Sequence, residues 1–212
     1  MATAWIAGAS GLVGGALLHR LLQDDYFGAV VSVGRRTLPL QHPKLTQLLS
    51  GFSSPSAFEA LIEPDIGFSC LGTTIRKAGS SEAFRMVDHD AVLTFAHAAW
   101  GKRARTFVHV SALGADPRSR HFYNSVKGEI ERDVASVGFP SVYALRPSIL
   151  DGEREESRPV ERFGLVVARA LGPLLGKYRP TPVGNVARMM VASAKWAAPG
   201  AHVIEADAIF QD

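Results

Sequence analysis

The sequence predicts an α/β protein: a Rossmann-type, doubly wound parallel sheet with helices on both faces and a small C-terminal substrate lobe. Strand-like apolar runs alternate with amphipathic, helix-length segments along the chain. A glycine-rich turn from Gly8 to Gly14 separates the first apolar run from the first helical pattern. With 212 residues, 47% hydrophobic and 20% charged, the chain has the composition of a globular protein. We expect one domain over 1–212, with residues 151–198 forming the substrate or partner lobe.

Each predicted element has a local signal. The run 29–33 hardly alternates in polarity, which is typical of a strand buried on both faces. Ser80 is a good N-cap for a long helix over 81–100, and apolar residues from Val126 to Val137 recur at helical spacing. The first predicted strand ends at residue 8. The other predicted strands span 29–33, 44–50, 65–71, 106–110, 141–145 and 201–205. The first predicted helix follows Gly11. The other predicted helices span 55–62, 81–100, 120–137, 160–175 and 184–196.

Charge, apolar patterning and cysteine content exclude several classes of protein. The net charge of +3 comes from 23 basic and 20 acidic residues that form no block, so we expect no nucleic-acid partner. No apolar run is long enough for an integral membrane segment. The single cysteine, Cys70, allows no intramolecular disulfide and is expected to be a buried structural thiol, and we predict a cytoplasmic protein. The seven histidines lack metal-ligand spacing, so no metal site is predicted.

The glycine-rich turn predicts a site for a diphosphate. Glycines at positions 8, 11 and 14 lack the Cβ atoms that would block a close approach to the backbone, and the helix that follows offers free N–H groups. Ser10 stands where the usual dinucleotide fingerprint has its second glycine, and it could contact a phosphate oxygen. A turn required only for packing is the alternative. The predicted contact residues are Gly8, Ala9, Ser10, Gly11, Leu12, Val13 and Gly14.

The end of the second strand predicts which dinucleotide is bound. An acidic residue at this position binds the ribose 2′-OH of NAD, whereas arginine accommodates the 2′-phosphate of NADP. Here Arg35 and Arg36 follow the strand and no acidic residue does. We therefore predict NADP(H) in preference to NAD(H). A solvated basic loop is the alternative.

The predicted catalytic group consists of Ser111, Tyr123 and Lys127. The i, i+4 spacing places Tyr123 and Lys127 one turn apart on the same helix face. Free tyrosine has a pKa near ~10, and an ammonium group close to a phenol favours the phenolate, so such a pair can exchange protons at neutral pH. Ser111 ends a predicted strand, at the sheet edge where α/β folds bind ligands, and can hydrogen-bond a reacting oxygen.

Structural explanations exist for each of these residues. Tyr123 could be a core aromatic, Lys127 could pair with Glu131 on a solvated face, and Ser111 could simply end its strand. His109 and His121 flank Ser111, which raises the possibility of a Ser-His-Asp hydrolase, but the G-x-S-x-G elbow of such enzymes is missing.

Several motifs together resemble the short-chain dehydrogenase/reductase superfamily over nearly the whole chain. The glycine turn is similar to that of its atypical and extended members, and Ser111, Tyr123 and Lys127 match its Ser-Tyr-Lys triad. The resemblance is closer to the atypical branch named for the human Tat-interacting protein. The segments that carry it are 70–74, 84–90, 110–116, 123–129 and 145–147.

The resemblance implies that NADPH binds along the glycine turn, that Lys127 also holds the nicotinamide ribose, and that the segment after Pro147 meets the carboxamide. The further cofactor contacts implied are Leu71, Gly72, Thr73, Asp88, Arg146, Pro147 and Ser148. Asp88 departs from the family pattern, because many members have an asparagine there that supports a proton relay to the lysine. The relay is then altered, or a water replaces it.

Two functions follow as hypotheses. The first is an NADP-dependent oxidoreductase that transfers hydride between nicotinamide and a small carbonyl or alcohol substrate. The second is an NADPH-binding sensor or interaction module with little turnover. In the second case helix 160–175 would be a partner surface rather than a lid over the cleft. A protein partner or a homodimer is compatible with either.

Overall fold

A computed structural model describes residues 1–151 and 179–210 and contains a seven-stranded, entirely parallel sheet. Its order, β3-β2-β1-β4-β5-β6-β9, reverses direction at β1 and confirms the predicted doubly wound fold. The strands of this sheet are β1 (Ala2–Ala7), β2 (Phe27–Gly34), β3 (Leu45–Leu49), β4 (Ile66–Ser69), β5 (Thr106–Val110), β6 (Ser141–Arg146) and β9 (Gly200–Glu205). A separate two-stranded ribbon pairs β7 (Leu150–Asp151) with β8 (Thr181–Pro182).

Two described helices, Ile75–Ala78 and Ala206–Ile209, were not predicted, and two predicted helices differ in form from those observed. The described helices are α1 (Leu12–Gln23), α2 (Ile75–Ala78), α3 (Ser81–Arg85), α4 (Ala91–Gly101), α5 (Phe122–Ala135), α6 (Val183–Trp196) and α7 (Ala206–Ile209). The helix predicted over 81–100 is interrupted, because a π-helical turn at Met86–Asp90 joins α3 to α4. The helix predicted over 55–62 is a 3₁₀ turn, Pro55–Phe58, whose start is capped by the Ser54 side chain.

Helices cover both faces of the sheet. One apolar cluster joins the sheet to α1 and α6 through residues such as Leu17 and Met190. The other joins it to α4 and α5 through Phe95 and Ile130. Gly67 of β4 lies under this second layer, where an added Cβ would come within 2.8 Å of the Phe107 ring. The sheet is therefore buried on both sides, as its apolar strands predict.

The predicted lobe requires a correction at its C-terminal end. Helix α6, which lies within 151–198, packs its buried face against α1 in the main core and is not part of a separate lobe. The ribbon of β7 and β8 brackets residues 152–178. The predicted helix 160–175 lies outside the described residues, so the lobe itself stays a prediction.

In residues 1–151 and 179–210, no helix combines the length and the apolar character that crossing a bilayer requires.

Candidate active site

The turn between β1 and α1 is closed by contacts that only glycine permits. Gly8 has φ +84°, and a Cβ there would lie 2.7 Å from the Cys70 carbonyl carbon. A Cβ on Gly14 would lie 2.1 Å from the Gly8 carbonyl oxygen. The Gly11 N–H donates to that same oxygen at 3.0 Å, which tightens the turn. Packing therefore explains the glycines, and the same close turn leaves a concave backbone surface.

This surface is open to a ligand. The N-cap residue of α1 is Gly11, which has no side chain that could accept hydrogen bonds from the first N–H groups of the helix. Ser10, beside it, is exposed. Backbone N–H groups at an uncapped helix start are good anion ligands. The geometry thus suits the diphosphate predicted from the sequence.

Arg35 and Arg36 lie at the adjacent strand end. In the register of β1 and β2, Ala7 is opposite Val33, so the residues after β2 lie next to the glycine turn. Both arginines are exposed, and neither pairs with an acidic group of the described residues. Two uncompensated positive charges therefore flank the turn.

The predicted catalytic lysine forms a buried ion pair. The Lys127 Nζ lies 2.7 Å from Asp88 Oδ1, and the side chains are 5% and 1% exposed. Asp88 Oδ2 accepts a hydrogen bond from the Thr73 backbone N–H at 2.7 Å. Gly72 lies against the pair, because a Cβ there would be 3.4 Å from Asp88 Oδ1 and 3.8 Å from Lys127 Nζ. The alternative pairing of Lys127 with Glu131 is wrong.

Tyr123 lies in the first turn of α5, one turn before Lys127. Its ring packs on the buried Phe84 ring, with centroids 5.4 Å apart, yet the residue is only half-buried. The core-aromatic explanation therefore accounts for one side of the ring. The other side remains accessible.

Ser111 follows β5 directly and is buried, and its Oγ has no hydrogen-bond partner in the described part of the chain. It consequently donates no hydrogen bond to His109 or His121, which argues against a Ser-His pair. Its backbone N–H donates to the Leu145 carbonyl at 2.7 Å. The loop beyond is fixed to α5, because Gly128 lies so close to Asp116 that a Cβ would be 2.2 Å from its carbonyl carbon.

The predicted contacts at 146–148 are engaged in internal structure. The Arg146 guanidinium binds Glu131 through two hydrogen bonds of 2.9 and 2.6 Å and Glu205 through one of 2.9 Å. These bonds, those to Glu131 above all, raise its pKa. The Pro147 carbonyl accepts the Leu113 N–H, and the Ser148 hydroxyl donates to the Arg179 carbonyl. The bonds to Glu131 and Glu205 use three of the five N–H donors of the Arg146 guanidinium.

Sequence analysis missed a set of contacts that joins α3 and the π turn to α5. Arg85 Nη1 lies 2.6 Å from Glu129 Oε2, and Ser125 donates to the same carboxylate. The buried His89 ring lies between Asp90 and Asp133, at 2.7 and 2.9 Å. The i, i+4 spacing of Ser125 and Glu129 was a visible signal. The partners on the other helix were not.

Two further expectations concern Cys70 and metals. Burial raises the pKa of the Cys70 thiol, and its Sγ lies 3.9 Å from Met190 Sδ, which agrees with a structural thiol. The part of the chain that the structure describes holds no group of three or more His, Cys, Asp or Glu side chains arranged for a metal ion.

The parallel, doubly wound sheet and the similarity to known proteins define the class of protein, an atypical short-chain dehydrogenase/reductase. No protein-family model matches the chain. Two similar relatives are "Protein fmp52, mitochondrial" of Emericella nidulans, 37% identical over 179 residues, and "Protein HTATIP2" of Rattus norvegicus, 35% identical over 191. The alignments cover 81% and 88% of this chain, and 77% and 78% of those proteins. The chain belongs to the family of FMP52 and HTATIP2.

Solved structures share the fold at low sequence identity. The Bordetella bronchiseptica enzyme WbmH, in complex with NAD⁺, aligns with a TM-score of 0.70 at 17% identity, over 97% of this chain and 75% of that one. A short chain dehydrogenase family protein from Francisella tularensis aligns with a TM-score of 0.64 at 16% identity, over the full length of both chains. The sheet of this chain is thus of the short-chain dehydrogenase type.

The comparisons correct the predicted location. Several fungal relatives carry the word mitochondrial in their names, which contradicts the cytoplasmic assignment. The physical reason is simple: a single buried cysteine is compatible with any reducing compartment and does not single out the cytoplasm.

Proposed function

We propose that the protein is an NADP-dependent oxidoreductase that acts on a small carbonyl or alcohol substrate. The observation that carries the proposal is the buried Lys127–Asp88 pair. The pair lies against Gly72, Lys127 is on the same helix as the half-buried Tyr123, and the unpartnered Ser111 hydroxyl directly follows β5. Buried charged groups are candidates for functional sites.

The residues fit a nicotinamide dinucleotide on structural grounds. The turn at Gly8 and Gly14 has no room for side chains and leaves backbone N–H groups free for a diphosphate. The Gly72 surface over Lys127 would lie under the ribose next to nicotinamide, where the remaining N–H donors of Lys127 can bind hydroxyl groups. Leu71 and Thr73 flank this surface. When bound, the nicotinamide supplies or accepts a hydride.

The proton chemistry belongs to the chain's own residues. Ser111 Oγ donates a hydrogen bond to the substrate oxygen and orients it, which is possible because no group of residues 1–151 and 179–210 uses this hydroxyl. Tyr123 gives a proton to that oxygen during reduction and takes it back during oxidation. Lys127 places a positive charge one helical turn from Tyr123. Asp88 fixes the position of that charge.

The preference for NADP(H) rests on Arg35 and Arg36. Replacing both with serine should weaken NADPH binding about tenfold or more, because a phosphate contact is lost, and should leave NADH binding nearly unchanged. Fluorescence titration with both cofactors measures this. Replacement of Arg118 with serine is the control, because Arg118 is exposed but lies in another loop. Equal losses for both cofactors would contradict the assignment to the 2′-phosphate.

Turnover is tested with a panel of aldehydes and ketones in the presence of NADPH. The Tyr123→Phe variant should lose at least about 10²-fold in kcat while binding NADPH normally, since only the proton donor is removed. Tyr26→Phe is the matched control, because Tyr26 is exposed near the opposite edge of the sheet. Unchanged activity in Tyr123→Phe would remove Tyr123 from the mechanism.

A second candidate is an NADPH-binding sensor or interaction module with little turnover. The observation that favours it is the direct contact between Asp88 and Lys127, because a carboxylate at 2.7 Å compensates the charge that would act on Tyr123. Tight NADPH binding without turnover on the whole panel would support this candidate. Protein partners and a homodimer stay predictions.

A further inference from the structure

Four buried side-chain atoms near the site have no hydrogen-bond partner within the described residues. One is Asp88 Oδ1, which has only its ion-pair contact with Lys127, and the others are Ser69 Oγ, His109 Nε2 and Ser111 Oγ, whose residues are 1%, 1% and 4% exposed. Buried polar atoms in native proteins nearly always have a hydrogen-bond partner, either in the protein or in an ordered water. Ser111 has a proposed role toward the substrate. Ser69 and His109 have none.

Ser69 and His109 share a position and a face of the sheet. They are opposite each other in the parallel register of β4 and β5. Gly67, two residues before Ser69, faces Phe107 and Ala99 of the α4 layer. Side chains two residues apart on a strand share a face, so both groups point to the layer of α4 and α5, from which Lys127 comes.

His109 is neutral at physiological pH. Burial, assisted by the positive charge of Lys127, lowers its pKa from 6.5 to about 3. A neutral imidazole carries one nitrogen that accepts a hydrogen bond, and the Lys127 ammonium, which lies 2.7 Å from Asp88 Oδ1, has three N–H donors. An acceptor and a spare donor thus lie in the same buried layer.

We propose that His109 Nε2 and Ser69 Oγ bind a buried water molecule that accepts a hydrogen bond from the Lys127 ammonium. This water donates to His109 Nε2 and to Ser69 Oγ, which gives it the two to four polar partners that an internal water needs. His109 is then a positioning residue: it acts through Lys127 and touches neither substrate nor cofactor. The consequence for turnover rests on the oxidoreductase function proposed above. The water site itself does not.

The decisive experiment compares His109→Leu with His109→Gln. Leucine fills the space but cannot hold the water, whereas the glutamine amide can. We expect His109→Leu to weaken NADPH binding and lower kcat by about tenfold with little change in the KM of the carbonyl substrate, because a misplaced Lys127 affects ribose binding and proton transfer. His109→Gln should restore NADPH affinity and kcat to within about threefold of the wild-type values.

Ser69→Ala should show a smaller loss of NADPH affinity and of kcat. His97→Leu, on the exposed side of α4, should show no loss of either. Thermal melting tests whether each variant is folded. If His109→Leu does not fold, Ser69→Ala and His109→Gln are compared with the wild type. Equal losses in the leucine and glutamine variants would overturn the proposal.

A crystal structure of the wild-type protein at atomic resolution separates this inference from the proposed function. A water within hydrogen-bond distance of His109 Nε2 and Lys127 Nζ supports the inference, even in a protein that turns over no carbonyl substrate. A His109 ring bonded directly to a protein group, or with no water at Nε2, overturns it. Absence of NADPH binding would overturn the proposed function alone.

Discussion

The two halves of the candidate site are built by different forces. In the glycine turn between β1 and α1, backbone atoms are packed so closely that a Cβ on Gly14 would lie 2.1 Å from a carbonyl oxygen. In the catalytic half, side chains of opposite charge join the π turn to α5, with Lys127 and Asp88 at the centre. One half is determined by steric exclusion and the other by electrostatics.

This difference determines how each half responds to change. A steric site tolerates no added atom, and it is insensitive to pH because no titratable side chain shapes it. A protein can lose one contact of an ion-paired site and keep its fold. The contribution of such a site to the free energy of unfolding depends, however, on the protonation of its groups and on the residue that replaces each charge. Substitutions in the two halves should therefore differ in size and in pH dependence.

The largest effect is expected for Gly14→Ala. The new methyl group would meet the Gly8 backbone, which cannot move without opening the turn, so we expect a loss of more than about 3 kcal/mol in the free energy of unfolding. Gly15→Ala is the matched control one residue further along α1. Its Cβ would meet its nearest atom at 3.6 Å, and alanine should stabilise the helix by up to about 1 kcal/mol. Urea unfolding measures both, and similar values would refute steric control.

The next effect is expected for Lys127→Met. Removing the cation leaves Asp88 as a buried carboxylate held only by the Thr73 N–H, which should cost about 3–5 kcal/mol. In the double variant with Asp88→Asn no uncompensated charge remains, so part of the loss should be recovered. Urea unfolding of the two single variants and the double variant completes the cycle. A purely additive result would show that the two groups do not interact.

A pH effect is expected from His109. The unfolded histidine, with a pKa near 6.5, binds a proton at pH 5, whereas the buried one, with a pKa of about 3, does not. The unfolded state thus gains protons, and the folded protein loses about 2 kcal/mol of stability as the pH falls from 7.5 to 5. His109→Gln should lack this loss, and His97→Gln should keep it. Identical pH slopes in all three proteins would show that His109 is not buried in its neutral form.

The smallest effect is expected for Arg85→Gln. The Arg85 side chain is 41% exposed, so its 2.6 Å pair with Glu129 is partly screened and should contribute about 1 kcal/mol or less. Glu129 keeps the Ser125 hydroxyl as a donor. Arg118→Gln is the control, because that side chain is almost fully exposed and should give no change. A loss above about 2 kcal/mol in the free energy of unfolding would show that the Arg85–Glu129 pair contributes as much as a buried ion pair.

The sequence predicted the elements whose signals are local. Glycines at 8, 11 and 14, the apolar strands and the i, i+4 spacing of Tyr123 and Lys127 depend on neighbours along the chain, and the fold they indicate is the one observed. The triad itself stays a prediction, because no measurement tests its chemistry. Its members lie on two consecutive segments, with Ser111 directly after β5 and Tyr123 and Lys127 on α5.

Contacts between distant segments were beyond the sequence. Asp88 was recognised as a departure from the family pattern, but its ion pair with Lys127 depends on how the π turn packs on α5. Arg146 was assigned to the cofactor from its motif, whereas the fold brings Glu131 and Glu205 to its guanidinium. The interruption of the long helix also left no local trace, since residues 86–90 are compatible with an ordinary α-helix.

The ribbon of β7 and β8 has a consequence for protein engineering. Leu150 and Thr181 are paired partners, so the two ends of the chain between β7 and β8 are neighbours. The entropic cost of closing a loop between fixed ends rises only slowly with its length. The ribbon is therefore the position where we expect a change in chain length to have the least effect on the register of the large sheet.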